Sequence, residues 1–252
     1  MVKRLAAMAF TLFFIQATVA ATAAAQTAIR TQRVRFDKGA SSAVIKGQVK
    51  GYADVDYLVG AGAGQTITVS LKPSNRSNYF NVLPPGSKDV AMHVGQTGDD
   101  YTGVLPTDGD YTVRVYLVRA AARRNETSTY TLTVSVSGKA LKPTPAAVDA
   151  VIPGTAFHAS APITCLPYIA TLRDKQPRQC QAFVIRRGFD GTATVEIPQE
   201  NSIPRRILFV KGQPVASDAS FPMAFSRKDY VTIVTFDTGE RYEIPDMLVF
   251  GG

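Results

Sequence analysis

From Arg33 to Val136 the chain runs in short stretches where apolar and polar residues alternate with a period of two, the signature of half-buried β-strands. Val34 and Phe36 alternate with Arg33 and Arg35, and Ala43 to Val49 makes a second run. Gly51-Tyr52-Ala53-Asp54-Val55-Asp56-Tyr57 leads into a third. In Gln65 to Leu71, Ile67, Val69 and Leu71 share one face, and Thr66, Thr68 and Ser70 the other. Tyr79 to Leu83 stops at Pro84-Pro85-Gly86, where proline removes backbone donors and glycine permits a turn. Val90 to Val94 and Tyr101 to Leu105 are shorter runs. The clearest strand sets Tyr111, Val113, Val115 and Leu117 against Thr112, Arg114 and Tyr116, and Tyr130 to Val136 closes the set. Short strands separated by turn signals, with no helical period, predict an all-β fold: a jelly-roll-like β-sandwich over residues 32–138.

After Leu117 the alternation breaks into Val118, Arg119, three alanines, Arg123 and Arg124, which reads as a compact basic loop leaving a core strand. Residues 139–150 carry Lys139, Lys142, Pro143 and Pro145 and little that can be buried, so they predict a linker. Strands resume at Gln181 to Ile185, Thr192 to Ile197, Arg205 to Val210, Tyr230 to Phe236 and Tyr242 to Ile244, with hairpin turns at Lys211-Gly212 and Asp237-Thr238-Gly239. Residues 151–252 therefore predict a second, small β-domain.

Composition adds compartment and excludes chemistry. Lys3 and Arg4, the apolar run Leu5 to Ala20 and Ala23-Ala24-Ala25 match a cleaved secretory signal peptide over residues 1–25. No later stretch is long and apolar enough to span a bilayer, so the expectation is a bacterial periplasmic or secreted protein without an integral membrane segment after cleavage. In an oxidising compartment the only two cysteines, Cys165 and Cys180, predict a disulfide that staples the second domain.

Asp237-Thr238-Gly239 follows an apolar strand as an aspartic-protease carboxylate does, but that chemistry needs a second such carboxylate and a small residue where Glu240 stands. His93 and His158 are too few and too far apart for a triad or a metal site. Gly60-Ala61-Gly62-Ala63-Gly64 opens no helix and reads as a flexible turn rather than a phosphate cradle. No catalytic, metal or cofactor site is expected. The net charge of +8 comes from scattered residues and the pairs Arg123-Arg124, Arg186-Arg187 and Arg205-Arg206, without an aromatic-basic ladder, which argues against nucleic acid. Anionic envelope glycans or an acidic protein cleft suit an exported basic protein better. A homodimer remains open.

Gly64-Gln65-Thr66, Tyr79 to Gly86, Tyr101-Thr102-Gly103-Val104-Leu105-Pro106, and above all Gly109-Asp110-Tyr111 through Arg124 carry a family resemblance. On them the region from about Arg33 to Val136 resembles the periplasmic inhibitors of invertebrate-type and goose-type lysozymes. More loosely, Asp54-Val55-Asp56-Tyr57, Gly109-Asp110-Tyr111 and Tyr130-Thr131-Leu132 are similar to bacterial pre-peptidase C-terminal domains, which are jelly-roll accessory modules. The second domain resembles C-terminal regions of other exported proteobacterial proteins without assigned activity. The first resemblance implies a non-enzymatic protein that fills a lysozyme cleft with a loop bearing a Ser-Gly pair. Thr102-Gly103, following Tyr101, is the nearest match here, and Arg119, Arg123 and Arg124 are the cations such a surface would present. An envelope glycan or polyanion as ligand is the alternative.

Overall fold

The computed structural model describes residues 29–95 and 99–251, so the expected signal peptide lies outside the described residues. No helix among them is long and apolar enough to cross a membrane. The first half contains β1 (Arg30–Arg33), β2 (Ser42–Lys50), β3 (Val55–Ala61), β4 (Thr66–Pro73), β5 (Asn78–Leu83), β6 (His93–Val94), β7 (Asp100–Val104), β8 (Gly109–Leu117), a single helical turn α1 (Arg119–Arg123) and β9 (Thr127–Ser137).

These strands form two sheets, in the orders β1-β3-β8-β5-β6 and β2-β9-β4-β7. Only β1 and β3 pair in parallel; every other neighbouring pair is antiparallel. The alternation read from the sequence is what joins the sheets. Val59, Tyr111, Val113 and Val115 from one and Ile67, Val69, Leu132 and Val134 from the other meet in one buried cluster. Each such side chain contributes about 1.5–3 kcal/mol relative to exposure. The polar atoms carried inside are satisfied locally: the Tyr57 and Tyr130 hydroxyls bond each other at 2.8 Å, and the Tyr111 hydroxyl donates to the Thr107 carbonyl at 2.8 Å.

The second half comprises β10 (Ala159–Leu166), α2 (Tyr168–Arg173), β11 (Arg178–Arg186), β12 (Ala193–Ile197), β13 (Arg205–Val210), β14 (Gln213–Ser217), β15 (Met223–Lys228), β16 (Val231–Phe236), β17 (Arg241–Pro245) and α3 (Asp246–Phe250). It is one eight-stranded antiparallel sheet in the order β14-β13-β12-β11-β10-β17-β16-β15. Ile163, Val184, Val195, Ile207, Val234 and Tyr242, spread over six strands, share one core cluster with Leu248 and Val249 of α3, so the sheet curls around them. Lys211 and Gly212 both take positive φ (50° and 76°), the geometry of a two-residue hairpin turn. Cys165 and Cys180 are bonded across β10 and β11, closing a loop of sequence separation 15. Such a loop contributes about 3 kcal/mol by restricting the unfolded chain.

The two halves touch at one end of the sandwich. Thr194 donates its hydroxyl to the Pro106 carbonyl at 2.8 Å, and Arg206 donates to the Pro85 carbonyl at 3.1 Å. The Arg187 side chain, wholly removed from solvent, pairs with Asp108 at 2.8 Å and also donates to Thr194 and the Leu141 carbonyl. The stretch 139–150 that joins the halves is held to each of them, Leu141 N–H donating to the Ala63 carbonyl and Thr144 N–H to the Arg186 carbonyl, and one expectation changes with it. The Gly60–Gly64 stretch is its seat: a Cβ at Gly62 would lie 2.5 Å from the Ala140 Cβ, so the glycines serve close approach rather than flexibility.

Candidate functional site

At the opposite end of the sandwich lies α1. A run of alanines favours helix, and here the helix is one turn tucked against the core, with Ala121 and Ala122 buried in the sandwich cluster. The expected basic loop is therefore helical, too short for a 3.6-residue period to show in the sequence. Both flanks are fixed: Val118 N–H donates to the Ser77 carbonyl, and Glu126 N–H donates to the Ala121 carbonyl at 3.2 Å. Asn125 takes φ of 54° and turns the chain into β9.

The three arginines on this turn have different fates. Arg124 pairs with Glu126 at 2.6 Å. Glu126 also accepts from the Asn75 amide, and that bond, with Arg124 beside it, holds its carboxyl below the usual range. Arg119 and Arg123 are exposed and have no side-chain partner among the described residues. The small alanines brace the turn and leave these two cations pointing outward on a rigid base.

Tyr101, Thr102 and Gly103 sit elsewhere, on β7, an edge strand rather than a protruding turn. Tyr101 faces inward, its phenol pushed up to about 12 by burial, and stacks at 4.7 Å on the His93 ring. A Cβ at Gly103 would lie 2.2 Å from the Tyr101 hydroxyl, so glycine makes room for that ring. Thr102 faces out, its hydroxyl 3.1 Å from that of Thr68. The register places Thr102 opposite Thr68 and Thr68 opposite Ser135, whereas α1 feeds into β9 at Thr127. Eight residues of strand separate the two rows, roughly 26 Å at ~3.3 Å per residue. The structure does not bring the two sets together, and β14 of the second half lies beside β7.

The other arginine pairs are consumed inside. Arg186 pairs with Asp149 at 3.0 Å, and Arg187 closes the junction described above. Arg205 lies between two buried carboxylates, 3.0 Å from Asp218 and 3.1 Å from Glu240, with its guanidinium 5.3 Å from the Phe236 ring centre. Arg206 pairs with Glu196 at 2.9 Å. Nothing in the sequence marks these pairs as internal, because their partners arrive from distant strands.

Asp218 and Glu240 line one cleft, the arrangement that acid–base chemistry would require. Both are already engaged. Glu240 accepts from Arg205, from the Tyr242 hydroxyl at 2.9 Å and from Thr238, while Asp218 accepts from the Arg206 backbone N–H and from Arg205. Burial raises the Asp218 carboxyl, and the two arginines oppose it. The Arg205 guanidinium stands between the carboxylates and pairs with both, so the cluster reads as an ion network. Among the described residues no group of three or more His, Cys, Asp or Glu could hold a metal.

Comparison with known proteins adds the family. No family model matches the chain. A curated relative, the inhibitor of g-type lysozyme of Escherichia coli (strain K12), is 32% identical over 106 residues, which is 41% of this chain and 78% of the relative. Among solved structures, the Aeromonas hydrophila periplasmic inhibitor PliG is 38% identical and covers 43% of this chain and 97% of its own, with a TM-score of 0.42. A PliG mutant from Escherichia coli (32% identical, 44% of this chain, 100% of its own, TM-score 0.36) and Salmonella Typhimurium PliG (31%, 43%, 98%, 0.35) also match. The similarity falls on the N-terminal region, the sandwich that carries α1 and β7. Through that region the chain belongs to the family of inhibitors of g-type lysozyme.

Proposed function

We propose that the protein is a periplasmic, non-enzymatic inhibitor of a g-type lysozyme, and that the end of the sandwich carrying α1 is its contact surface. The 106-residue match to a g-type lysozyme inhibitor carries this reading. The geometry supplies the means. A glycosidase cleft presents carboxylates, and Arg119 and Arg123 are exposed guanidiniums with no partner to surrender. Charge-assisted hydrogen bonds from them into such a cleft are strong and directional. Because buried alanines already hold the turn, little backbone freedom is lost on docking, and the ordering cost falls on the two arginine side chains. Tyr101, Thr102 and Gly103 form a second candidate contact, presented as a strand edge.

The test is inhibition of a purified g-type lysozyme by the mature protein. Dose-dependent loss of lysozyme activity is expected, and the Arg119→Ala/Arg123→Ala variant should weaken it by about tenfold or more, the scale of charge-assisted bonds. Thermal stability should stay unchanged within ~0.5 kcal/mol, because both side chains are exposed. A comparison with Thr102→Val separates the two surfaces. Full lysozyme activity in the presence of excess protein would overturn the reading.

A further inference from the structure

A groove of about 770 Å³ runs along the sandwich where β1 and β2 form the open edges of their sheets. Its lining includes Arg30, Lys46 and Lys72, the carboxamides of Gln32 and Gln48, and the Thr131 hydroxyl, and it contains no carboxylate. None of the three cations is ion-paired with a described residue, in contrast to Arg186, Arg187, Arg205 and Arg206. The register makes the charges converge. Lys46 is opposite Thr131 and Thr131 is opposite Lys72, so the three stand in one cross-strand row on the outer face of the sheet. Two inter-strand spacings put the lysines about 10 Å apart at the backbone, on either side of a hydroxyl.

We propose that this groove binds a phosphorylated saccharide, with Lys46 and Lys72 holding the phosphate over Thr131. Several cations around one hydroxyl suit a multiply charged, multi-oxygen anion better than a single carboxylate, and lysine binds phosphate as a point charge. Gln32 and Gln48 each offer a donor and an acceptor, the pairing that sugar hydroxyls require. A side chain at Gly47, between Lys46 and Gln48, would meet the Tyr130 ring at 2.5 Å, so glycine makes room for that ring, which lines the groove. This site is separate from the lysozyme contact: Thr131 lies four residues along β9 from the end that follows α1.

The experiment is calorimetric titration of the full mature protein with a soluble bisphosphorylated glucosamine disaccharide, its unphosphorylated counterpart, and phosphatidylglycerol vesicles. Saturable binding of the phosphorylated disaccharide alone is expected, weakening as salt rises. Lys46→Gln/Lys72→Gln should reduce affinity by roughly tenfold per lysine, the scale of one charge-assisted hydrogen bond, with lysozyme inhibition intact. Arg119→Ala/Arg123→Ala should leave the binding unchanged. Three outcomes overturn the proposal: no binding of the phosphorylated disaccharide, vesicle binding without it, or equal losses in both variants, which would mark net charge rather than a site.

Discussion

Arg205 holds Asp218 and Glu240 apart in the interior, so its value depends on two charges that water cannot reach. Replacing it by methionine keeps much of the volume and leaves both carboxylates without their main counter-charge. Breaking a buried ion pair in this way costs about 3–5 kcal/mol, and chemical denaturation of Arg205→Met should show a loss of that size. Exposed Arg119 and Arg123 carry the same charge with the opposite consequence, since their removal should cost binding and not stability. Glu126 gives the pH dependence at this scale. Its carboxyl is held below 4.5 by the Asn75 amide first and Arg124 second. A depressed folded-state value means its contribution is present above pH 4.5 and lost as pH falls through that lower value. In Asn75→Ala the Glu126 titration, followed by NMR, should move back up towards 4.5.

Among elements, α1 shows how little sequence a braced basic surface needs. Ala121 is fully buried against the sandwich, so Ala121→Leu would force extra methylenes into a filled core. A loss of about 1–3 kcal/mol is expected in thermal unfolding, together with weakened lysozyme inhibition as the turn is displaced. The longer alternating strands of the first half were legible because each buries one face, as Ile67, Val69 and Leu71 do; β1 was not, since Arg30–Arg33 is exposed throughout and the Val34–Phe36 alternation falls just after it, outside any strand. Three strands of the second half were not. In β10 the alternating positions are mostly small residues and a proline, Ala159-Ser160-Ala161-Pro162, which carry little hydrophobic contrast. β15, at one edge of the sheet, exposes all but its first residue, and β14, at the other edge, is five residues interrupted by Pro214, so neither shows an apolar face in the pattern.

For the molecule as a whole, the second half docks at the Pro85–Pro106–Asp108 end and leaves the α1 end and the basic groove open. Arg187 is central to that junction. In Arg187→Ala the pairing with Asp108 and the bonds to Leu141 and Thr194 are lost together. Limited proteolysis between residues 139 and 150 should then become faster, while lysozyme inhibition, proposed for the far end, should persist.

By itself the sequence determined the all-β class, the alternating faces of the sandwich, the cystine and the kinship with lysozyme inhibitors, because side-chain period, paired cysteines and ordered motifs are local properties. Tertiary structure decided which arginines are available. Arg123-Arg124, Arg186-Arg187 and Arg205-Arg206 are indistinguishable as dipeptides, yet Arg186, Arg187, Arg205 and Arg206 are spent on Asp149, Asp108, Asp218, Glu240 and Glu196, and Arg123 is left exposed. It also separated Thr102 from the α1 arginines and set Lys46 and Lys72 on either side of Thr131. Each outcome depends on strand register and sheet order, which join residues far apart in the chain, and hydrophobic periodicity carries no record of which strand lies next to which.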